Sequence, residues 1–222
     1  IIESSMMDNF PLLVTRQYHE LRNEIKSGDI LLCSGRATFS NMIKEATQSV
    51  WSHVAFILRL DAINRIMVLE SVESIGVRVI PLSNYIFDYN GTGKGYDGKL
   101  MLARHRDFQS KNLINLSKTA IDLLGYPYNT QEIVKIAARI SMNTIGIQNP
   151  KQDAKPDRAF ICSEYAYICF HSIGIDIDYN PLGFISPTDF ARCPRVDSLN
   201  FIQSESLADI GSLIKKTDLI DA

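Results

Sequence analysis

Apolar and polar positions along the chain alternate between a helical period and a strand period, and the changes of period mark the elements. Over 8–26, Val14, Tyr18, Leu21 and Ile25 share one stripe while Arg16, Glu20, Arg22, Glu24 and Lys26 fall mostly off it, which predicts an N-terminal amphipathic helix. Ser27-Gly28-Asp29 ends that helix with turn chemistry and releases a buried strand, Ile30 to Cys33. A helix over about 38–48 follows, with Phe39, Met42, Ile43 and Ala46 on its inner face. Residues 51–59 and 65–72 then read as two strands joined through Asp61 and Asn64, close enough to form an antiparallel hairpin. Further strands are predicted at 77–80 and 100–104, on either side of a glycine-studded loop at 88–99. Helical spacing returns at 109–124 and stops at Gly125, and Asn129 with Glu132 is a capping pair for a helix reaching about 145.

A polar, proline-bearing loop at 147–158 precedes the stretch Phe160-Ile161-Cys162-Ser163-Glu164, from which a helical pattern continues to Gly174. Ser186-Pro187-Thr188-Asp189 is an N-cap with proline at the first helical position, so a short helix begins there. No repeat or break in composition divides the chain. The pattern predicts one α+β domain over 1–201, with strands mainly in the first half and helices around them, and a polar tail over 202–222.

Cys162 falls at or just before a helix N-terminus, where unpaired backbone N–H groups and the positive end of the helix dipole favour thiolate over thiol. With a cationic partner as well, such a site lowers a cysteine pKa from ~8.5 towards ~3.5–7.5. Taken alone, the commoner reading is a small buried side chain. A nucleophile also needs a base and an orienting group. His171 lies nine positions along the same helix, roughly 13 Å away along its axis. His19 sits among surface charges, and His105 lies between Arg104 and Arg106. His53, in an otherwise apolar strand beside the single tryptophan, remains. An even-numbered turn centred between Asp61 and Ala62 sets His53 directly opposite Glu70, whose carboxylate could fix the imidazole tautomer. A shifted register puts Glu73 there instead, and a buried polar pair with no catalytic use is the alternative to both. Trp51, Tyr128 and Tyr165 are candidate substrate-binding residues, although aromatics beside helix junctions are more often core.

Net charge is −2 with no basic run, which argues against a nucleic-acid partner. Four irregularly spaced cysteines, Cys33, Cys162, Cys169 and Cys193, form neither a metal pattern nor a disulfide framework, so neither metal nor cofactor is expected. Asp88, Asn90, Thr92 and Gly93 match the start of a calcium loop, but Lys99 stands where the bidentate glutamate is needed. The same glycines precede a strand rather than a helix, which argues against a nucleotide loop. Opening at Ile1 rather than Met implies a natural start upstream, and leaves membrane contact and a bacterial envelope or secreted location open.

Ser27-Gly28-Asp29-Ile30-Leu31-Leu32, then Trp51-Ser52-His53-Val54, Gly125-Tyr126-Pro127-Tyr128 and Phe160-Ile161-Cys162-Ser163-Glu164 together resemble the circularly permuted papain-like NlpC superfamily, in its YiiX/YaeF-like amidase branch. In that branch the histidine strand precedes the cysteine helix, as it does here, and the resemblance covers about 27–193. It implies a small antiparallel sheet or partial barrel packed on the cysteine-bearing helix, with Cys162 as nucleophile, His53 as base and Glu70 as orienting group. The activity implied is hydrolysis of an amide bond, in a cell-wall peptide or similar substrate, through an acyl-enzyme. Related permuted folds also act on acyl groups as transferases or lipid hydrolases, so the expected partner is a peptide or acyl substrate. A non-catalytic binding domain is the third alternative. The inserts at 88–99 and 147–158 and the segment beyond 193 depart from the resemblance, and substrate selection is expected there.

Overall fold

The strands line up in one open sheet of seven, and the position of each follows from where its apolar residues can be covered. The structure, a computed structural model, describes residues 13–36, 41, 44, 47, 49–143 and 159–204, with backbone only at 139–143. In chain order, β1 (Thr15–Gln17), β2 (Asp29–Gly35), β3 (His53–Leu60), β4 (Arg65–Val72), β5 (Gly76–Pro81), β6 (Gly98–His105) and β7 (Val196–Gln203) assemble as β1-β7-β6-β2-β3-β4-β5. Every neighbouring pair is antiparallel except β1 with β7, so the sheet is mixed rather than purely antiparallel, and it does not close into a barrel.

Among the described residues six α-helices have defined bounds: α1 (Tyr18–Leu21), α2 (Leu82–Phe87), α3 (Leu113–Asp122), α4 (Thr130–Asn143), α5 (Cys162–His171) and α6 (Pro187–Arg192). Successive strand residues point to opposite faces, so both faces must be covered. On one, Val54, Phe56, Leu69 and Met101 pack with Tyr165, Ala166, Cys169 and Phe170 of α5. On the other, Ala55, Ile57, Val68 and Leu102 pack with Tyr18, Leu21 and Ile25 and with Leu82, Tyr85 and Ile86 of α2.

Several expectations are corrected. The stripe Tyr18, Leu21 and Ile25 is buried as its spacing implies, yet among the described residues of that stretch only Tyr18–Leu21 is helical. Thr15–Gln17 is drawn into a parallel pairing with Phe201–Gln203, which leaves Val14 exposed. β7 runs to Gln203 with Phe201 and Ile202 buried, so the strand takes in the first residues assigned to the polar tail. The β3–β4 register is displaced by two residues: a turn over Asp61–Ile63, with Asn64 in the left-handed region at φ 52°, pairs Leu60 with Arg65. Glu70 therefore stands diagonal to His53 rather than opposite it. A shift of two keeps the face unchanged. Asn41, Lys44 and Thr47 are helical, whereas the rest of the helix at 38–48, the loop at 147–158 and the tail from 205 lie outside the described residues.

Gly76 ties this frame to the segment behind α3. Its φ is +88°, and an added Cβ would lie 2.1 Å from the Tyr126 carbonyl oxygen. Val77 N–H donates to that same oxygen at 2.8 Å. Gly91 has a similar φ of +73° with nothing within 4 Å of a Cβ. Gly76→Ala should therefore destabilise the fold by about 2 kcal/mol or more, and Gly91→Ala by only about 1 kcal/mol, in urea unfolding. Equal losses would mean that the contact with Tyr126 contributes nothing.

Candidate active site

Cys162 is delivered by a run of backbone hydrogen bonds that begins on the sheet. Ser71 of β4 donates through Oγ to the Phe160 carbonyl at 2.7 Å. Phe160 N–H donates to Pro127 O at 3.0 Å, and Asn129 N–H returns to Phe160 O at 3.4 Å. The chain is thus clamped between β4 and the Tyr126–Pro127–Tyr128 turn two residues before the thiol. Helix α5 then opens at Cys162: Ile161 is its N-cap, and Glu164 reaches back to accept Ile161 N–H at 3.1 Å. The helical ladder starts with Tyr165 N–H to Ile161 O at 3.0 Å, so the Cys162 N–H precedes it at the positive end of the helix. Ser163 anchors the first turn through Oγ to Ile185 O at 2.7 Å.

His53 opens β3, paired across the ladder with Cys33 of β2. Its Nε2 lies 2.7 Å from Oε2 of Glu70, and the ring lies close enough to Cys162 for the two to interact electrostatically. Burial alone would push His53 down, but Cys162 and Glu70 outweigh it and raise the ring to about 10. Glu70, fully buried, keeps its charge in company: besides His53, Arg78 donates through Nε to Oε1 at 2.7 Å, and Tyr85 donates its hydroxyl to Oε2. Burial pushes this carboxyl up, and the three donors more than offset that, leaving it below the ordinary carboxylate range.

The structure therefore brings together Cys162, His53 and Glu70. Glu73 lies exposed in the turn after β4 and is not part of the cluster. Tyr128 lines a cavity beside Cys162, and burial together with that cysteine pushes its hydroxyl up. Trp51 and Tyr165 do not line the cavity. Trp51 is 1 % exposed and stacks on Phe201, and Tyr165 packs on Phe56 and donates its hydroxyl to Ala120 O at 3.0 Å. Both are core residues, buried in the same apolar cluster. The cavity has an empty volume of about 470 Å³ including its open mouth, and apart from Cys162 its walls are chiefly Tyr128, Ile133, Ile136, Ile161, Phe184 and Pro187. Sequence reasoning missed Arg78 and Tyr85. Arg78 could have been found, since it faces Glu70 directly across the β4–β5 ladder. Tyr85 sits on a short helix with no clear period.

The other histidines lie elsewhere: His19 is exposed, His105 is buried at the end of β6, and His171 pairs with Asp176 on the surface. Among the described residues no group of three or more His, Cys, Asp or Glu side chains is placed to hold a metal ion, and no helix is long and apolar enough to cross a membrane.

An open sheet whose histidine strand precedes a cysteine helix is the permuted arrangement of a papain-like enzyme. Residues 24–183 match the permuted papain-like amidase family of YaeF and YiiX, family C92, and the chain belongs to that family of cysteine peptidases and amidases. Among solved structures it is similar to the protein described as metalloprotein YiiX from Escherichia coli O157:H7. The TM-score is 0.55 at 19 % identity, over 79 % of this chain and 96 % of that one, and the likeness is one of fold. No curated protein sequence matches significantly.

The acid limb of stability offers a check on the carboxylate. A depressed Glu70 contributes stability that is complete above its unfolded value of ~4.3 and is lost as pH falls through the lower folded value. Glu70→Gln lacks this contribution. Its unfolding free energy should be lower near neutrality and fall less steeply below about pH 4.5 than that of the wild type, in urea titrations at each pH. Parallel curves would show that Glu70 is not held as an anion in the fold.

Proposed function

We propose that the chain hydrolyses an amide bond with Cys162 as nucleophile, His53 as general base and acid, and Glu70 as the group that orients His53. The observation that carries this reading is the arrangement itself: a thiol at the first position of α5, an imidazole close enough to interact with it, and a buried carboxylate 2.7 Å behind the ring. The Cys162 thiolate attacks the substrate carbonyl carbon, and the C–S bond forms as negative charge moves to oxygen. Backbone N–H groups at the mouth of α5, that of Cys162 included, receive this charge. Protonated His53 gives its proton to the departing nitrogen as the C–N bond breaks. A water then loses a proton to His53 and attacks the thioester, releasing the acid and restoring the thiolate.

The cavity favours a second reading, in which the same chemistry acts on an acyl group as a transferase or lipid-acyl hydrolase. Its walls beside the sulfur are almost wholly apolar, and such a lining suits a hydrocarbon better than a charged peptide.

Iodoacetamide tests the shared core of both readings. Cys162 should be alkylated near neutral pH faster than Cys33 and Cys169, whose thiols burial pushes up, and faster than half-buried Cys193. His53→Ala should slow Cys162 by about tenfold or more, because an ordinary thiol is only a few per cent ionised at pH 7. Equal reactivity of all four cysteines would leave a non-catalytic domain. The mass added to Cys162 after an acid quench during turnover separates the two readings: a peptidyl increment supports the amidase and a fatty-acyl increment the lipid enzyme.

A further inference from the structure

The glycine-studded segment does not face the cavity; it folds back behind the carboxylate. Tyr96 N–H donates to the Tyr85 carbonyl at 2.7 Å and Tyr89 N–H to Lys94 O at 2.7 Å, which staples the loop to α2. Gly93 N–H donates to Asp88 Oδ1 at 2.6 Å. At Gly95 a Cβ would lie 2.2 Å from the Ile86 carbonyl oxygen, so only glycine permits this approach. The rings of Tyr85, Tyr89 and Tyr96 pack on one another, with centroids 4.8, 5.4 and 4.9 Å apart. Asn90 of the same loop accepts from Arg78 Nη1 at 3.1 Å, and it does so from the left-handed region at φ 53°. Segment 82–98 thus holds both groups that reach Glu70 from behind.

Those two groups take different oxygens. Arg78 binds Oε1, whereas Tyr85 shares Oε2 with His53. Glu70 and Tyr85 are each fully buried, so water is not at hand to replace a missing donor. Burial and the charge of Glu70 push the Tyr85 hydroxyl well above its ordinary value, which keeps it a donor at any working pH.

We infer that Tyr85 is a positioning residue of this site: by donating to the same Glu70 oxygen that receives His53, it fixes the direction of the carboxylate and limits how strongly it holds the imidazole proton. Arg78, held by Asn90, does the same from the other oxygen. This rests on the proposed pairing of His53 with Glu70, and it gives the 88–99 insert a supporting role rather than one in substrate selection.

Tyr85→Phe removes a single oxygen and keeps the ring, so the test is a titration and not an activity assay. In Cys162→Ala, the groups facing the His53–Glu70 pair are Cys33, Arg78, Tyr85, Tyr89 and Tyr96. The His53 ring is followed by NMR against pH in that background, with and without Tyr85→Phe. A carboxylate that loses a donor binds a proton on its neighbour more tightly. The His53 midpoint should move up by about half a pH unit or more in Tyr85→Phe, and further in Arg78→Gln. A midpoint unchanged or lowered in both variants would overturn the inference, even if Tyr85→Phe proved less stable, since a packing role alone leaves the titration where it was. The outcome is independent of the alkylation result: slow alkylation of Cys162 with a moved midpoint would sink the catalytic reading and keep the role of Tyr85. Fast alkylation with an unmoved midpoint would do the reverse.

Discussion

A full negative charge inside the sheet is the constraint around which this half of the molecule is arranged. Glu70 is completely buried, and an ionised carboxylate without partners in such a place would cost several kcal/mol. Each neighbouring element carries part of the answer. β5 supplies a cation directly across the ladder, β3 an imidazole on the diagonal, and α2 a phenol from the second layer. Gly76 of β5 and Gly95, whose Cβ would meet the Ile86 carbonyl of α2, are positions where that arrangement leaves no room for a side chain. The order of elements from β3 to β6 is therefore less a generic hairpin stack than a cage built around one anion.

On the opposite side of His53 the requirement is different. A thiol has to arrive at the end of a helix, at a fixed height above the sheet, from a part of the chain remote in sequence. Helix dipole and capping account for its local environment, but neither fixes where the helix sits. The bonds from Ser71 and Pro127 to Phe160 do so, and they explain why the Gly125–Tyr128 turn belongs with the site although only Tyr128 reaches the cavity.

Much of this was legible because local chemistry and global fold agree. The Arg65–Val72 strand, the start of α5 at Cys162 and the Ser186 cap of α6 are where their patterns place them. The capping of α4 by Asn129 is equally direct, with Glu132 N–H on Asn129 Oδ1 at 3.0 Å. The pairing of His53 with Glu70 was found through a register that is off by two residues. Parity rescued it, since any even slip leaves both side chains on one face. What could not be read has physical causes. β7 alternates weakly, with Asp197, Ser198 and Asn200 only half-buried, so nothing in its composition marks a strand. Spacings of three and four in Tyr18, Leu21 and Ile25 report burial on one side, which a short helix and the turn after it satisfy as well as a long helix would. Tyr85 contributes through a single oxygen, and no periodicity registers one hydroxyl.

The wide separation in sequence between His53 and Cys162 has a bearing on how the chain matures. The strands that carry the histidine and the glutamate emerge from the ribosome well before the helix that carries the sulfur. Domains close by such distant contacts only once the later segment is available. Until α5 docks, Cys162 stands apart from His53 and Glu70, the two neighbours that the proposed chemistry requires. On the proposed reading, reactivity would be a maturation marker, appearing only when assembly is complete.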